Sequence, residues 1–301
     1  MAKIIDGKKI SEEILKEVSG GVTNLKKEKG IVPGLATILV GEDPASKVYV
    51  GAKIKACEKT GINGIKYQLP KDVSEEELLK KLEELNNDDS VHGILVQLPL
   101  PENINISEVV NTISPEKDVD GFHFLNISQL YWSSEADLKT ELRDTLSKDM
   151  FKPCTPYGIV ELLYRYNIDI RNAAVVVVGR SNVIGKPIAY LLVDKVSSLT
   201  ICHSYTKNLF EVVKRGDIII AAAGKPKLIT GDMVKEGAVV IDVGINRSPE
   251  GKIVGDVDFD SVKEKASYIT PVPGGVGPMT IAMLLRNTLD SALRKVRRLN
   301  L

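Results

Sequence analysis

The stretch VVVVGRSNVIGKP, residues 175–187, decides how the chain folds. Four consecutive valines with no polar alternation read as a strand buried on both faces of a parallel sheet. Gly179 ends the run, a polar turn follows, and Ile184–Gly185 opens a helix with Pro187 in its first turn. A strand, a tight turn and a helix N-terminus together form the setting in which turn amides hold a phosphate. The glycine spacing is G-x-x-x-x-x-G rather than G-x-G-x-x-G, so the stretch alone is a weak fingerprint, and a βα turn without a ligand explains it too. Arg180 adds a cation suited to a phosphate at the strand's end.

The same texture extends in both directions. Strands are expected at 35–41, 64–70, 92–99, 173–179, 198–204, 217–224, 238–244 and 267–275. Helices are expected at 6–29, 45–60, 74–87, 157–167, 184–194, 208–215 and 279–297. Alternation of this kind is βαβ architecture. The pattern breaks near Asp120–Pro153, which divides the chain into an N-terminal α/β domain and a Rossmann-like dinucleotide-binding domain. Between them, Leu138, Leu142 and Leu146 recur every four residues and predict an extra helix over 135–149.

Length and composition bound the possibilities. The 301 residues suit one large domain or two ordinary ones, and 43% hydrophobic content supports a substantial core. Lysine plus arginine equals aspartate plus glutamate, 40 against 40, so no basic excess points to nucleic acid or to a membrane surface. The opening MAKIIDGKKISEEILKEV lacks the apolar run of a signal peptide, and no stretch reaches the ~18 apolar residues of a membrane span. Cys57, Cys154 and Cys202 stand far apart, which fits a reducing cytoplasm. The three histidines are scattered too, and no metal site is expected. No G-x-S-x-G, Walker loop or H-E-x-x-H is present.

The strand ends of the second half extend the dinucleotide reading. An NAD site usually places an acidic residue on the ribose at the tip of the second strand. Here that tip reads Cys202-His203-Ser204, with Lys207 beyond and no Asp or Glu. A hydroxyl with Arg180 and Lys207 nearby favours the extra phosphate of NADP. The next tips, Ala223-Gly224-Lys225 and Val243-Gly244-Ile245-Asn246, carry glycines that let a flat ligand approach the backbone.

The first half carries different chemistry. In PASKVYVGAKIKACEKTGI (44–62), a helix is expected between Asp43-Pro44 and Gly61. At about 100° per residue, Tyr49, Lys53, Val50, Ile54, Ala56 and Cys57 share one arc, while Lys47, Lys55 and Lys59 lie opposite. A lysine held against apolar neighbours loses hydration, which favours the neutral amine and makes it a base or proton relay. The plain alternative is an amine that snorkels to water along its stem. HGILVQLPLP puts Gln97 at a buried strand's end, where its amide can orient a ligand or hold Lys53; the plain alternative is a loop glutamine. In PEKDVDG, one of Asp118 and Asp120 forms the turn and the other is free to face a ligand. ITPVPGGVGPMT (269–280) is too apolar for a linker and suits the lining of a flat aromatic molecule.

YVGAK, HGILVQLPLP, PEKDVDG, PCTP, VVVVGRSNVIGKP, CHS, VIDVGIN, GDVDF and ITPVPGGVGPMT follow one another across nearly the whole chain. In that order they closely resemble the bifunctional methylenetetrahydrofolate dehydrogenase/methenyltetrahydrofolate cyclohydrolase family. The resemblance implies a folate-binding catalytic domain, residues 1–122 with the C-terminal helix 276–301. It further implies a dinucleotide domain at 150–275, a junction at 123–149 and a deep cleft between the domains. It implies NADP-dependent oxidation of methylenetetrahydrofolate, with NAD possible, then hydrolysis of the methenyl product to formyltetrahydrofolate. By position, Lys53 matches the catalytic lysine, Tyr49 the folate-stacking tyrosine, Gln97 the modulator of the lysine and Asp120 the pterin anchor. Val96, Leu98, Pro273, Gly274 and Gly275 match folate contacts, and Gly179, Arg180, Ser181, Ser204 and Ile245 match dinucleotide contacts. A cytoplasmic homodimer is also implied. The chain departs from the pattern between Gly121 and PCTP, where it is longer. The competing readings are a monofunctional dehydrogenase with weak cyclohydrolase, a dinucleotide sensor without turnover, and a hydroxy-acid dehydrogenase. Presence of both Lys53 and Gln97 counts against the first, the complete folate-side set against the second, and the lack of another catalytic motif against the third.

Overall fold

The computed structural model describes residues 1–132 and 150–299; the helix expected over 135–149 lies outside the described residues. In chain order the elements are β1 (Lys3–Ile4), α1 (Gly7–Lys29), β2 (Gly34–Val40), α2 (Pro44–Thr60), β3 (Asn63–Leu69), α3 (Glu75–Asn87) and β4 (Gly93–Val96). Then come α4 (Ile106–Thr112), α5 (Phe124–Trp132), α6 (Cys154–Arg165), β5 (Ala174–Val178), α7 (Gly185–Leu192), β6 (Ser198–Cys202), α8 (Leu209–Val213) and β7 (Ile218–Ala221). The chain closes with β8 (Val239–Asp242), β9 (Asn246–Arg247), β10 (Ile253–Val254), α9 (Phe259–Val262), β11 (Tyr268–Ile269) and α10 (Val276–Arg298). Contacts group these into two units. One is built on Glu12–Gln129, with Cys154 and the helix from Ile281 onward; the other on Thr155–Thr280, joined by Met1–Ser11.

The first unit holds a three-stranded parallel sheet in the order β3-β2-β4. Every residue of β2 is buried, as its unbroken apolar run requires. The helix α3 covers the sheet with Leu78, Leu82 and Leu85, which pack with Ile38, Ile94 and Val109. The chain leaves β2 for β3 on one side and returns to β4 on the other. This makes the gap between β2 and β4 a topological switch point, where open α/β sheets bind ligands.

The second unit holds a six-stranded sheet in the order β1-β11-β8-β7-β5-β6, parallel throughout. Its core joins Val176, Val178, Ile219, Ala221, Val240 and Ile269. Its switch point lies between β5 and β7, so the VVVVG strand sits where a dinucleotide fold needs it. Two differences from the sequence reading stand out. The expected strand over 267–275 is only Tyr268–Ile269, because Pro271 and Pro273 have no amide hydrogen to donate to a ladder. The N-terminus, assigned from sequence to the first domain, instead pairs its Lys3–Ile4 with Tyr268–Ile269 in the second sheet. Two residues are too few for any periodicity to show.

Candidate active site and dinucleotide edge

In α2 the side chain of Asp43 accepts the Ser46 amide at 2.7 Å, and Gly61 ends the helix in a left-handed conformation. The buried face is Ser46, Val50, Lys53, Ala56, Cys57 and Thr60, while Lys47, Lys55 and Lys59 are exposed. Lys53, at 8% exposure, therefore does not snorkel. Its Nζ donates to Gln97 Oε1 at 2.8 Å. Gln97 sits at the end of β4, where its backbone amide donates to Ile38 O at 2.8 Å. Its Nε2 donates to Leu98 O at 2.7 Å, so the side-chain oxygen is turned toward the lysine. Burial pulls the Lys53 amine below the usual lysine range, opposed by the charge of Asp120. Tyr49 stands one turn earlier on the helix and is exposed. Val96 and Leu98 flank Gln97 and are half-buried.

The structure separates the two aspartates left open by the sequence. Asp118, 2% exposed, accepts from the amides of Gly121 at 3.1 Å and His123 at 2.7 Å and from Asn126 Nδ2 at 2.8 Å. It is the turn former, and burial pushes its carboxyl up to about 6. Asp120 is the acid coupled to Lys53: burial raises its carboxyl and the lysine's charge lowers it. Each member of the pair is thus drawn toward its neutral form. Cys154, fully buried, joins this group unforeseen. Its thiol donates to Val119 O at 3.3 Å and stands beside the Asp120 carboxyl, and burial holds it well above the ordinary thiol range. Asn287 on α10 donates to Val119 O at 2.8 Å and Lys152 O at 3.1 Å, tying the 118–121 turn to the segment that leads into Cys154. Cys154 lay inside the quoted PCTP motif without a role. Nothing local marks Asn287, whose partners are more than a hundred residues away in sequence.

At the other switch point the turn after β5 closes on itself. A Cβ on Gly179 would stand 2.1 Å from Ala222 O, and one on Gly185 would stand 2.2 Å from Gly179 O. Only glycines allow the start of α7 to lie this close to the end of β5. Ser181 Oγ accepts the amides of Ile184 at 3.1 Å and Gly185 at 3.3 Å, so the turn is shaped by its own hydroxyl. Arg180 is exposed, its guanidinium 5.3 Å from the Tyr205 ring centroid, and Ser204 is exposed at the end of β6. Ile245 beyond β8 is 53% exposed. An exposed cation, an exposed hydroxyl and an exposed aliphatic side chain at the ends of three strands of one sheet fit a phosphate-bearing dinucleotide. Gly244 has another reason: a Cβ there would meet Asp256 Oδ1 at 2.3 Å, so this glycine makes room for a buried carboxylate rather than a ligand. In the same unit Gly275 packs on Gly7, where a Cβ would stand 1.8 Å from Gly275 O, and Gly274 O accepts the Lys8 amide at 2.9 Å. The start of α1 thereby holds the turn at Pro273, Gly274 and Gly275.

Among the described residues no group of His, Cys, Asp or Glu is placed to hold a metal ion, and no helix is long and apolar enough to cross a membrane. Fold and site define a two-unit α/β enzyme with an NAD(P)-type sheet in one unit and a buried lysine in the other. The catalytic-domain profile of tetrahydrofolate dehydrogenase/cyclohydrolase matches residues 5–120, and its NAD(P)-binding-domain profile matches residues 153–296. The chain is 53% identical over 293 residues to the bifunctional protein FolD of Moorella thermoacetica, covering 97% of this chain and 99% of that one. The FolD methylenetetrahydrofolate dehydrogenase/cyclohydrolase of Campylobacter jejuni superposes with a TM-score of 0.91 at 47% identity, covering 98% of this chain and 100% of that one. The enzyme of Trypanosoma brucei, solved with NADP and an inhibitor, gives 0.90 at 38% identity over 98% of this chain and 99% of that one. The chain belongs to the tetrahydrofolate dehydrogenase/cyclohydrolase family and is an enzyme of that bifunctional type.

Proposed function

We propose that the chain oxidises methylenetetrahydrofolate with NADP and hydrolyses the methenyl product to formyltetrahydrofolate, both at a site centred on Lys53. The observation that carries this reading is the buried Lys53 amine, 2.8 Å from Gln97 Oε1. When bound, NADP supplies the hydride acceptor. Gly179, Arg180, Ser181, Ser204 and Ile245 hold it, with Arg180 and Ser204 taking the phosphate on the ribose. The Trypanosoma brucei relative, solved with NADP, supports that preference. Tyr49 aligns the folate ring, Asp120 anchors the pterin, and Val96, Leu98, Pro273, Gly274 and Gly275 line the ligand. In the hydrolysis, the neutral Lys53 amine takes a proton from the water that adds to the methenyl carbon. The same amine returns a proton to the ring nitrogen as the carbon–nitrogen bond breaks. Gln97 keeps the amine pointed while its charge changes. The protein acts as a cytoplasmic homodimer without nucleic acid.

Lys53→Met tests this directly. It fills the same space without an amine, so hydrolysis of methenyltetrahydrofolate falls by at least about a hundredfold while calorimetry finds the NADP Kd unchanged. An undiminished hydrolysis rate removes Lys53 from the reaction.

A further inference from the structure

Two buried carboxylates in the dinucleotide unit take no part in the chemistry above. Asp242 ends β8 at 3% exposure, and Asp256 follows β10 at 0%. Asp256 gathers four donors. Its Oδ2 accepts the amides of Ala223 at 2.5 Å and Gly224 at 2.8 Å. Its Oδ1 accepts the Lys225 amide at 2.9 Å and Asn246 Nδ2 at 2.8 Å. Three successive amides turned onto one group form a nest of the kind that binds anions, filled here by the protein's own carboxylate. Asp242 braces the arrangement, accepting the amides of Gly244 at 2.9 Å, Asp256 at 2.9 Å and Val257 at 3.0 Å. The packing is reciprocal. A Cβ on Gly244 would meet Asp256 Oδ1 at 2.3 Å, and one on Gly255 would meet Asp242 Oδ2 at 1.8 Å.

One carboxylate thereby ties together the residues that follow β7 and those that follow β8. The first group borders the switch point, since Ala222 O is the atom a Gly179 side chain would strike. The second carries the exposed Ile245 between Gly244 and Asn246. We propose that Asp256 is a positioning residue for the dinucleotide. It fixes the backbone of Ala223–Lys225 and, through Asn246, the placement of Ile245, without touching the ligand. This rests on the reading that the β5–β7 edge takes the dinucleotide.

Asp256→Asn keeps the shape but replaces one oxygen by an NH2 group, which must then face donors. The full-length variant is titrated calorimetrically with NADP beside Arg180→Ala, with steady-state KM values and amide exchange followed in parallel. In Asp256→Asn, NADP Kd and dinucleotide KM rise roughly tenfold while folate KM stays within about twofold, the scale of one buried donor left unpaired. Faster exchange is confined to 223–225 and 244–246. An unchanged NADP Kd in Asp256→Asn beside a weakened Arg180→Ala overturns the positioning role and leaves the edge standing. Unchanged Kd in both variants overturns the edge itself. Equal rises in both KM values mean general loosening and also overturn the proposal. If Asp256→Asn does not fold, Asn246→Ala removes one donor of the four and unties only the β8 side. It then raises NADP Kd by about threefold, and no rise sinks the proposal.

Discussion

Lys53 is a lysine on the buried face of α2 whose amine ends on Gln97 Oε1. Its place on the apolar arc was legible from angular position, because helical periodicity fixes which residues share a face, but whether the amine reached water along its stem was decided only by the fold. The identity of its acidic neighbour was not. Asp118 and Asp120 are two residues apart in one turn, and only the folded backbone shows that Asp118 spends its oxygens on Gly121, His123 and Asn126. That leaves Asp120 to act on Lys53 and gives a signed prediction. Burial lowers the Lys53 pKa and the Asp120 charge raises it. Asp120→Asn removes the larger of the raising influences and leaves burial in place, so the amine loses its proton at lower pH than in the unaltered protein. Acylation of Lys53, followed by mass spectrometry against pH, then begins at a lower pH. An onset that stays put or moves upward shows that the two groups are not coupled.

Helices and strands were largely readable as elements because each announces itself locally. For α3, Ser74 Oγ accepts the Glu77 amide at 3.2 Å while Glu77 Oε2 accepts the Ser74 amide at 3.1 Å. This capping box precedes Leu78, Leu82 and Leu85, which anchor the helix to the sheet. Ser74→Ala lowers the stability of the first unit by about 1 kcal/mol, whereas Ser74→Thr retains most of it. Urea denaturation of both variants measures the difference, and equal midpoints remove the cap from the account. Elements that say little locally were missed. The hairpin of β9 and β10 and the two-residue β1 carry too few residues for a period to show. The four-residue α9 is equally silent.

For the molecule as a whole, the N-terminus has the largest consequence that local patterns did not reveal. Ile5 is fully buried, and its amide donates to Ile269 O at 2.8 Å, so the opening residues belong to a sheet completed more than 260 residues later. Ile5→Ala costs the second unit about 2–5 kcal/mol, the usual range for emptying a buried aliphatic site. Calorimetric melting checks this, and an unaltered transition shows that the N-terminal strand is dispensable. The sequence by itself determined the alternation of strands and helices, the division into two α/β units, the place of Lys53 on the apolar arc of its helix and the glycine-marked turn after β5. Each of these rests on periodicity or on the conformational limits of single residues, which act over a few positions. Tertiary structure alone decided the strand order and hence both switch points, which aspartate meets Lys53, the membership of Cys154 in that group, and the gathering of two strand ends around Asp256. These depend on pairings such as Asp256 with Ala223, 33 residues apart, where a buried carboxylate must find donors wherever the fold brings amides to it.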